Sequence, residues 1–149
     1  MSRIYIAGPF FTQTQGMVIR NVERILDEAC CPYWSPSKHG PQFHSGGTPA
    51  RIYRANMHAM EKCDTILACI DGRDAGTMFE YGTFALRKFW AFRKPTAPTL
   101  YAFSTQDHGL NVMLAVPTDR FFSSLTEMVA FFVKGDNTAG TAAWKGSFV

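Results

Sequence analysis

The chain has 149 residues, 46% of them hydrophobic and 14% aromatic, with a formal net charge of +3. That length supports one domain with a sizeable buried core. Arg51, Arg54, Lys62, Arg73, Arg87, Lys88, Arg93 and Lys94 are scattered, which excludes the clustered basic stripe of a nucleic-acid binder.

The cysteines, Cys30, Cys31, Cys63 and Cys69, form no C-x-x-C pair and sit mostly in apolar runs, so a disulfide framework is not expected and a reducing compartment is. The opening "MSRIYIAGPF" is too short an apolar stretch for a signal peptide, and nothing approaches a membrane span. The expectation is a soluble cytoplasmic protein. Thirteen phenylalanines exceed what a core this size needs and suit a flat-ring pocket or an oligomer interface.

In chain order, Ile4–Ala7 is β-prone and stops at Gly8-Pro9. From Gln15 to Ala29, Val18, Val22, Ile25, Leu26 and Ala29 recur at helical spacing between charged residues, which predicts an amphipathic helix. Tyr33-Trp34 before Pro36 reads as a short strand. Ser35 to Pro49 carries many breakers and no periodicity; a loop this long in a compact domain is usually functional or mobile. Pro49 suits the start of a helix over Ala50–Lys62, with Ile52, Asn56, Ala59 and Met60 on or beside one face. Thr65–Ile70 is nearly continuous apolar sequence, as in buried parallel strands.

Thr77 to Phe89 is predicted as the next helix, with Arg87 and Lys88 complementing the dipole at its end. Thr99–Phe103 is a fourth strand. "LNVMLAV" follows a polar loop and by itself reads as core. Arg120–Phe122 reads as a short strand, and Ser124–Val133 as a last helix with Ser124 as cap and Glu127 three residues on. The segment 1–134 is assigned as the domain and 135–149 as a Gly/Ala/Thr-rich tail whose Trp144 and Phe148 argue for docking, with a neighbouring subunit as the candidate surface. Alternating strands and helices predict a single-domain α/β fold with a parallel sheet. Ligands there bind beyond the carboxyl ends of the strands, at the switch point in strand order.

One such end carries "DGRDAGTMFEYGTFAL", Asp71–Leu86, with Glu80 set among Met78, Phe79 and Tyr81. Thr77-x-x-Glu80 matches a capping box, and on that motif alone capping is the reading. A metal site fits worse: Asp71, Asp74 and Glu80 lack the alternating acids of a calcium loop. Three features favour chemistry. Asp74 and Glu80 flank the Gly76-Thr77 turn, Glu80 sits between apolar residues in the first helical turn, and Gly72 and Gly76 allow close approach of a ligand. An ionised carboxylate in a water-poor pocket beside a second acid suits displacement at an anomeric carbon.

"IYIAGPF", "CDTILACIDGRDAGTMFEYGTFAL" and "LNVML", in this order along most of the chain, resemble the nucleoside 2-deoxyribosyltransferases. The D-x-G-T-x-x-E-x-G core carries most of the specificity. The resemblance implies a five-stranded parallel sheet flanked by helices, of the flavodoxin-like or Rossmann-like kind, in homo-oligomers that share active sites. It implies exchange of the base of a 2′-deoxyribonucleoside for a free nucleobase, in nucleotide salvage, through a covalent deoxyribosyl-enzyme ester and without cofactor or metal. On this likeness Glu80 matches the nucleophile, Asp74 the acid that holds the sugar and helps manage protons, and Tyr5 the hydroxyl that orients the nucleophile. Gly8 and Gly76 lie as backbone near the sugar, Phe10 or Phe11 stacks on the base, and Asn111 and Met113 complete the neighbouring subunit's pocket, with Asn111 at the 5′-hydroxyl. Many relatives carry an aspartate that protonates the leaving base where this chain aligns Asn56, an amide and a poor acid, so Asp74 or water must supply any proton.

Two other readings stand beside this one. A deoxynucleoside 5′-monophosphate N-glycosidase would use the same glutamate with water as acceptor, with Lys38, His39, Ser45 and Arg51 as candidate phosphate contacts. A non-catalytic nucleotide-binding domain would keep the glycines but has no need of both Tyr5 and Glu80. His39, His44, His58 and His108 show no zinc-type spacing and read as surface or loop residues.

Overall fold

The computed structural model describes the chain except for Met1, Phe92, Arg93, Asp107 and His108, so the readings of Arg93 and His108 lie outside the described residues. Five parallel strands form one sheet: β1 (Ile4–Ala7), β2 (Tyr33–Trp34), β3 (Thr65–Cys69), β4 (Thr99–Phe103) and β5 (Arg120–Phe122), in the order β2-β1-β3-β4-β5. The chain leaves β1 toward β2, then returns to β3 on its other side. The switch point is therefore between β1 and β3, and a crevice opens beyond their carboxyl ends. Both strands are buried along their whole length, which is why their sequences are continuously apolar.

Among the described residues six α-helices flank the sheet: α1 (Gln13–Glu28), α2 (Pro36–His39), α3 (Pro49–Lys62), α4 (Ala75–Trp90), α5 (Val112–Ala115) and α6 (Leu125–Phe132). Period-2 alternation splits the core in two. Ile4, Ile6, Leu67 and Cys69 face α1 and α6, packing on Val22, Ile25, Leu26 and Met128. Tyr5, Ala7, Ile66 and Ala68 face α3 and α4, packing on Ala59, Met60, Tyr81 and Phe84. Tyr5 thus points at the helix that carries Glu80.

Helix starts differ from the sequence reading for local reasons. α1 begins at Gln13 because Thr12 caps it, accepting from the Gln15 amide at 3.2 Å while the Gln15 side chain returns to the Thr12 amide at 3.1 Å. α3 begins at Pro49, behind a Thr48 cap. α4 begins at Ala75, two residues before the predicted start, because Asp74 is its cap and accepts from the Thr77 amide at 2.8 Å. The Thr77-x-x-Glu80 capping box does not form. In α6, Ser124 accepts from the Glu127 amide at 3.2 Å, but Glu127 answers to Ser123, not to its cap.

The predicted loop from Ser35 to Pro49 contains α2 and a 3-10 turn at Phe43–Ser45, and folds into a strap closed on itself. The Gln42 side-chain amide donates to the carbonyls of Pro36 and Gly40 at 2.6 and 3.1 Å. The Gly47 amide donates to the Gln42 carbonyl at 2.8 Å, so tightly that a Cβ on Gly47 would sit 2.7 Å from that oxygen. "LNVMLAV" is not core: Leu110 and Ala115 are buried, whereas Val112, Met113 and Val116 are exposed. A single turn of helix leaves one side to solvent. The tail packs on its own chain, with Thr141 bridging antiparallel to Phe121 on the β5 edge and the Trp144 ring 5.5 Å from Phe121. No described helix is long and apolar enough to cross a membrane.

Candidate active site

Glu80 is positioned by the face it shares with α4's buried ridge. Thr77, Tyr81 and Phe84 bury one side of the helix against the sheet, which sets Glu80 on the flank above β1. There the Tyr5 hydroxyl donates to Glu80 Oε1 at 2.6 Å. Tyr5 is fully buried, and burial followed by the Glu80 charge pushes its phenol far above the usual range, so it remains a donor. Burial raises the Glu80 carboxyl to about 7; the Tyr5 bond opposes that rise and the nearby Asp74 charge adds to it. Glu80 Oε2 accepts no hydrogen bond among the described residues.

Asp74 holds the α4 N-terminus through Oδ2, which accepts from both the Thr77 amide and its hydroxyl, at 2.8 and 2.9 Å. A Cβ on Gly76 would lie 3.2 Å from that oxygen. Gly72, at φ +79°, and Arg73, at φ +50°, bend the chain between β3 and this helix. Across the crevice Gly8 ends β1 where a Cβ would meet Ile19 at 2.7 Å and Cys69 at 3.0 Å. A side chain there would have to displace Ile19, so packing favours glycine.

These residues line one cleft of about 420 Å³, within the range of small-molecule sites. Gly8, Phe10 and Phe11 form its β1 side; Asp74, Gly76, Thr77 and Glu80 form its α4 side. Ile52 and Asn56 close it from α3, and the strap supplies Pro36, Pro41, Gln42, Phe43 and His44. The Phe10 and Phe11 rings stack at 5.4 Å, and Phe11 and Phe43 are both largely exposed at the cleft wall. Asn56 Oδ1 is buried without a protein partner.

Of the residues expected from the sequence, Glu80, Asp74, Gly76, Gly8, Phe10, Phe11 and Asn56 line the cleft, with Tyr5 directly beneath Glu80. Asn111 and Met113 do not. They border a separate recess with Ile70, Arg73 and Met78, where Asn111 caps α5 by accepting from the Met113 amide at 2.9 Å. Sequence reading missed the strap residues. Its breakers and length marked the loop as functional, but nothing in it has a period that tells which side chains turn inward.

The candidate phosphate contacts do not gather at this cleft. Lys38 reaches Asp27 at 3.2 Å and the Tyr33 hydroxyl at 2.6 Å, and His39 Nδ1 accepts from the Ser35 amide at 3.0 Å. Among the described residues no lysine or arginine lines the cleft.

Solved structures share this fold. A 2-deoxyribosyltransferase from Bacillus psychrosaccharolyticus superposes with a TM-score of 0.70 at 20% identity, covering 86% of this chain and 90% of its own. A conserved protein from Enterococcus faecalis V583 superposes with a TM-score of 0.67 at 19% identity, covering 91% of this chain and 98% of its own. No curated protein sequence matches the chain. The profile of the nucleoside 2-deoxyribosyltransferases matches residues 4–113, nearly three quarters of the length, from β1 into the start of α5. The chain belongs to the nucleoside 2-deoxyribosyltransferase family.

Proposed function

We propose that the protein exchanges the base of a 2′-deoxyribonucleoside through a covalent deoxyribosyl ester on Glu80. The observation that carries this reading is the single 2.6 Å hydrogen bond from Tyr5 to Glu80 Oε1, which leaves Oε2 unpaired beside the cleft. Oε2 attacks C1′ as the bond to the base breaks, and Tyr5 holds the carboxylate in line. Asp74, with Oδ2 committed to the helix cap, turns its other oxygen to the sugar hydroxyls. Phe10 and Phe11 supply ring faces for the base, and backbone at Gly8 and Gly76 approaches the sugar. The incoming base then attacks C1′ from the face the first one left, and Glu80 is released.

A cleft wall without lysine or arginine favours a nucleoside over a 5′-monophosphate. A 2′-hydroxyl beside Glu80 would crowd the nucleophile, so ribonucleosides are turned over far more slowly than deoxynucleosides. Asn111 and Met113 are exposed residues that suit completion of a neighbour's cleft in a cytoplasmic homo-oligomer.

The direct test incubates the protein with one deoxynucleoside, with and without a second free base. A new nucleoside means transfer, free deoxyribose means hydrolysis, and neither product rejects an enzyme of either kind. Peptide mass spectrometry of the quenched protein should find a deoxyribosyl adduct on Glu80. For assembly, mixing inactive Glu80→Ala with an inactive Asn111→Ala variant should regain activity. A monomer at micromolar concentration that transfers bases efficiently would reject shared sites.

A further inference from the structure

Cleaving an N-glycosidic bond leaves an electron pair on the base, and a neutral base departs only if a proton reaches one of its ring nitrogens. The cleft offers three titratable side chains among the described residues: Asp74, Glu80 and His44. Glu80 must be ionised to attack. Asp74 sits on the same helix end, beside the sugar side, with one oxygen bound to Thr77. Asn56 and Gln42 are amides and release no proton at neutral pH, and the Gln42 amide is tied into the strap.

His44 lies on the facing wall. On the transfer reading, C1′ at Glu80 would set the sugar on the α4 side of the cleft and leave the wall formed by Phe11, Phe43 and His44 for the base. The strap's turn is closed by hydrogen bonds at this point: the Ser45 and Gly47 amides both donate to the Gln42 carbonyl, and Gly46 takes φ +81°. His44 lines the cleft and is also exposed to solvent.

We infer that His44 is the general acid and base of the reaction, acting on the base while Glu80 acts on the sugar. This rests on the transfer reading above. In the first half-reaction an imidazolium N–H gives its proton to a ring nitrogen of the leaving base, as the C1′–N pair moves onto the base and Glu80 Oε2 bonds to C1′. In the second, the neutral imidazole takes the N–H proton of the incoming base, whose nitrogen bonds to C1′ as the ester C1′–O pair returns to Glu80. The ligand class that needs this is a neutral nucleobase.

The test measures single-turnover leaving-group release by wild type and His44→Asn from two donors. One is 2′-deoxyadenosine, whose adenine needs a proton. The other is 4-nitrophenyl 2-deoxyriboside, whose nitrophenolate leaves without one. The expected result is a loss of about 10²-fold or more in adenine release, with the alkaline limb of its pH profile gone, and less than about threefold loss in nitrophenolate release. Equal losses on both donors, or unchanged adenine release, would overturn the assignment. Glu80→Ala separates the two levels: if it still releases both leaving groups at wild-type rates, the ester reading itself fails, whatever His44 does.

Discussion

Two helix-borne glutamates adjoin the same strap, one bonded to its base and one across a cleft from it. Glu23, on α1, is buried and accepts from the Ser35 and Ser37 hydroxyls at 2.5 and 2.9 Å, both to Oε1. Glu80, on α4, accepts one hydrogen bond, from Tyr5, and faces a cleft, an acid and two exposed phenylalanines. The first carboxylate ties the strap's base to α1. The second is left with one donor, its carboxyl raised to about 7, on the wall of an open cleft. A buried carboxylate given enough donors is a structural tie, whereas one given too few, beside open space, is a reagent.

The contrast breaks most sharply in activity. Glu80→Ala should lower base exchange by roughly 10⁴-fold or more, with circular dichroism unchanged, since Glu80 caps nothing. Retained exchange would make the two glutamates equivalent and reject the reading.

The next effect is on stability. The folded-state carboxyl of Glu80 is raised from 4.5 to about 7, so between those values the folded protein holds a proton that the unfolded chain has lost. Stability from this group is therefore present below pH 4.5 and lost as pH rises to about 7, by up to about 3 kcal/mol. Glu80→Gln keeps an acceptor for Tyr5 and has no such loss. Denaturant melts should find it more stable than wild type above pH 7, with the gap closing toward pH 4.5. A gap independent of pH would mean that Glu80 is not held in a charge-poor seat.

Glu23→Ala should do the opposite. Removing the acceptor leaves two serine hydroxyls short of a partner and costs about 1–3 kcal/mol. Exchange per folded molecule should fall far less than in Glu80→Ala. A loss comparable to Glu80→Ala would mean that the strap's seat, rather than the carboxylate in the cleft, governs the chemistry.

The smallest effect is expected for Tyr5→Phe, which removes the bond that lowers the Glu80 pKa. The acid limb of kcat/KM, set in wild type by ionisation of Glu80 at about 7, should move to higher pH, with roughly a tenfold loss at neutrality. A limb that stays in place would remove Tyr5 from the site's electrostatics.

What the sequence determined by itself was local. A nearly continuous apolar run marked β3 as a buried parallel strand, β-prone residues before Gly8-Pro9 marked β1 as a strand, and the helical spacing around Val22 and Leu26 marked α1. The glycines and acids of Asp71–Glu80 marked the end of β3 as a place for chemistry, because close approach and paired charge need those residue types at short range. What only the tertiary structure decided depends on contacts far apart in the chain. Thr77-x-x-Glu80 is compatible with a cap or with a free carboxylate. The choice was made by Asp74 taking the cap and by Tyr5, 75 residues away, turning to the α4 face of the sheet. The strap's cleft-lining residues, Phe43 and His44, follow from a turn closed on Gln42 and Gly47, and a segment of breakers has no period from which to read them. The apolar letters of "LNVMLAV" were equally silent about Met113 facing outward, because burial belongs to the surface a side chain meets and four helical residues are too few to define a face.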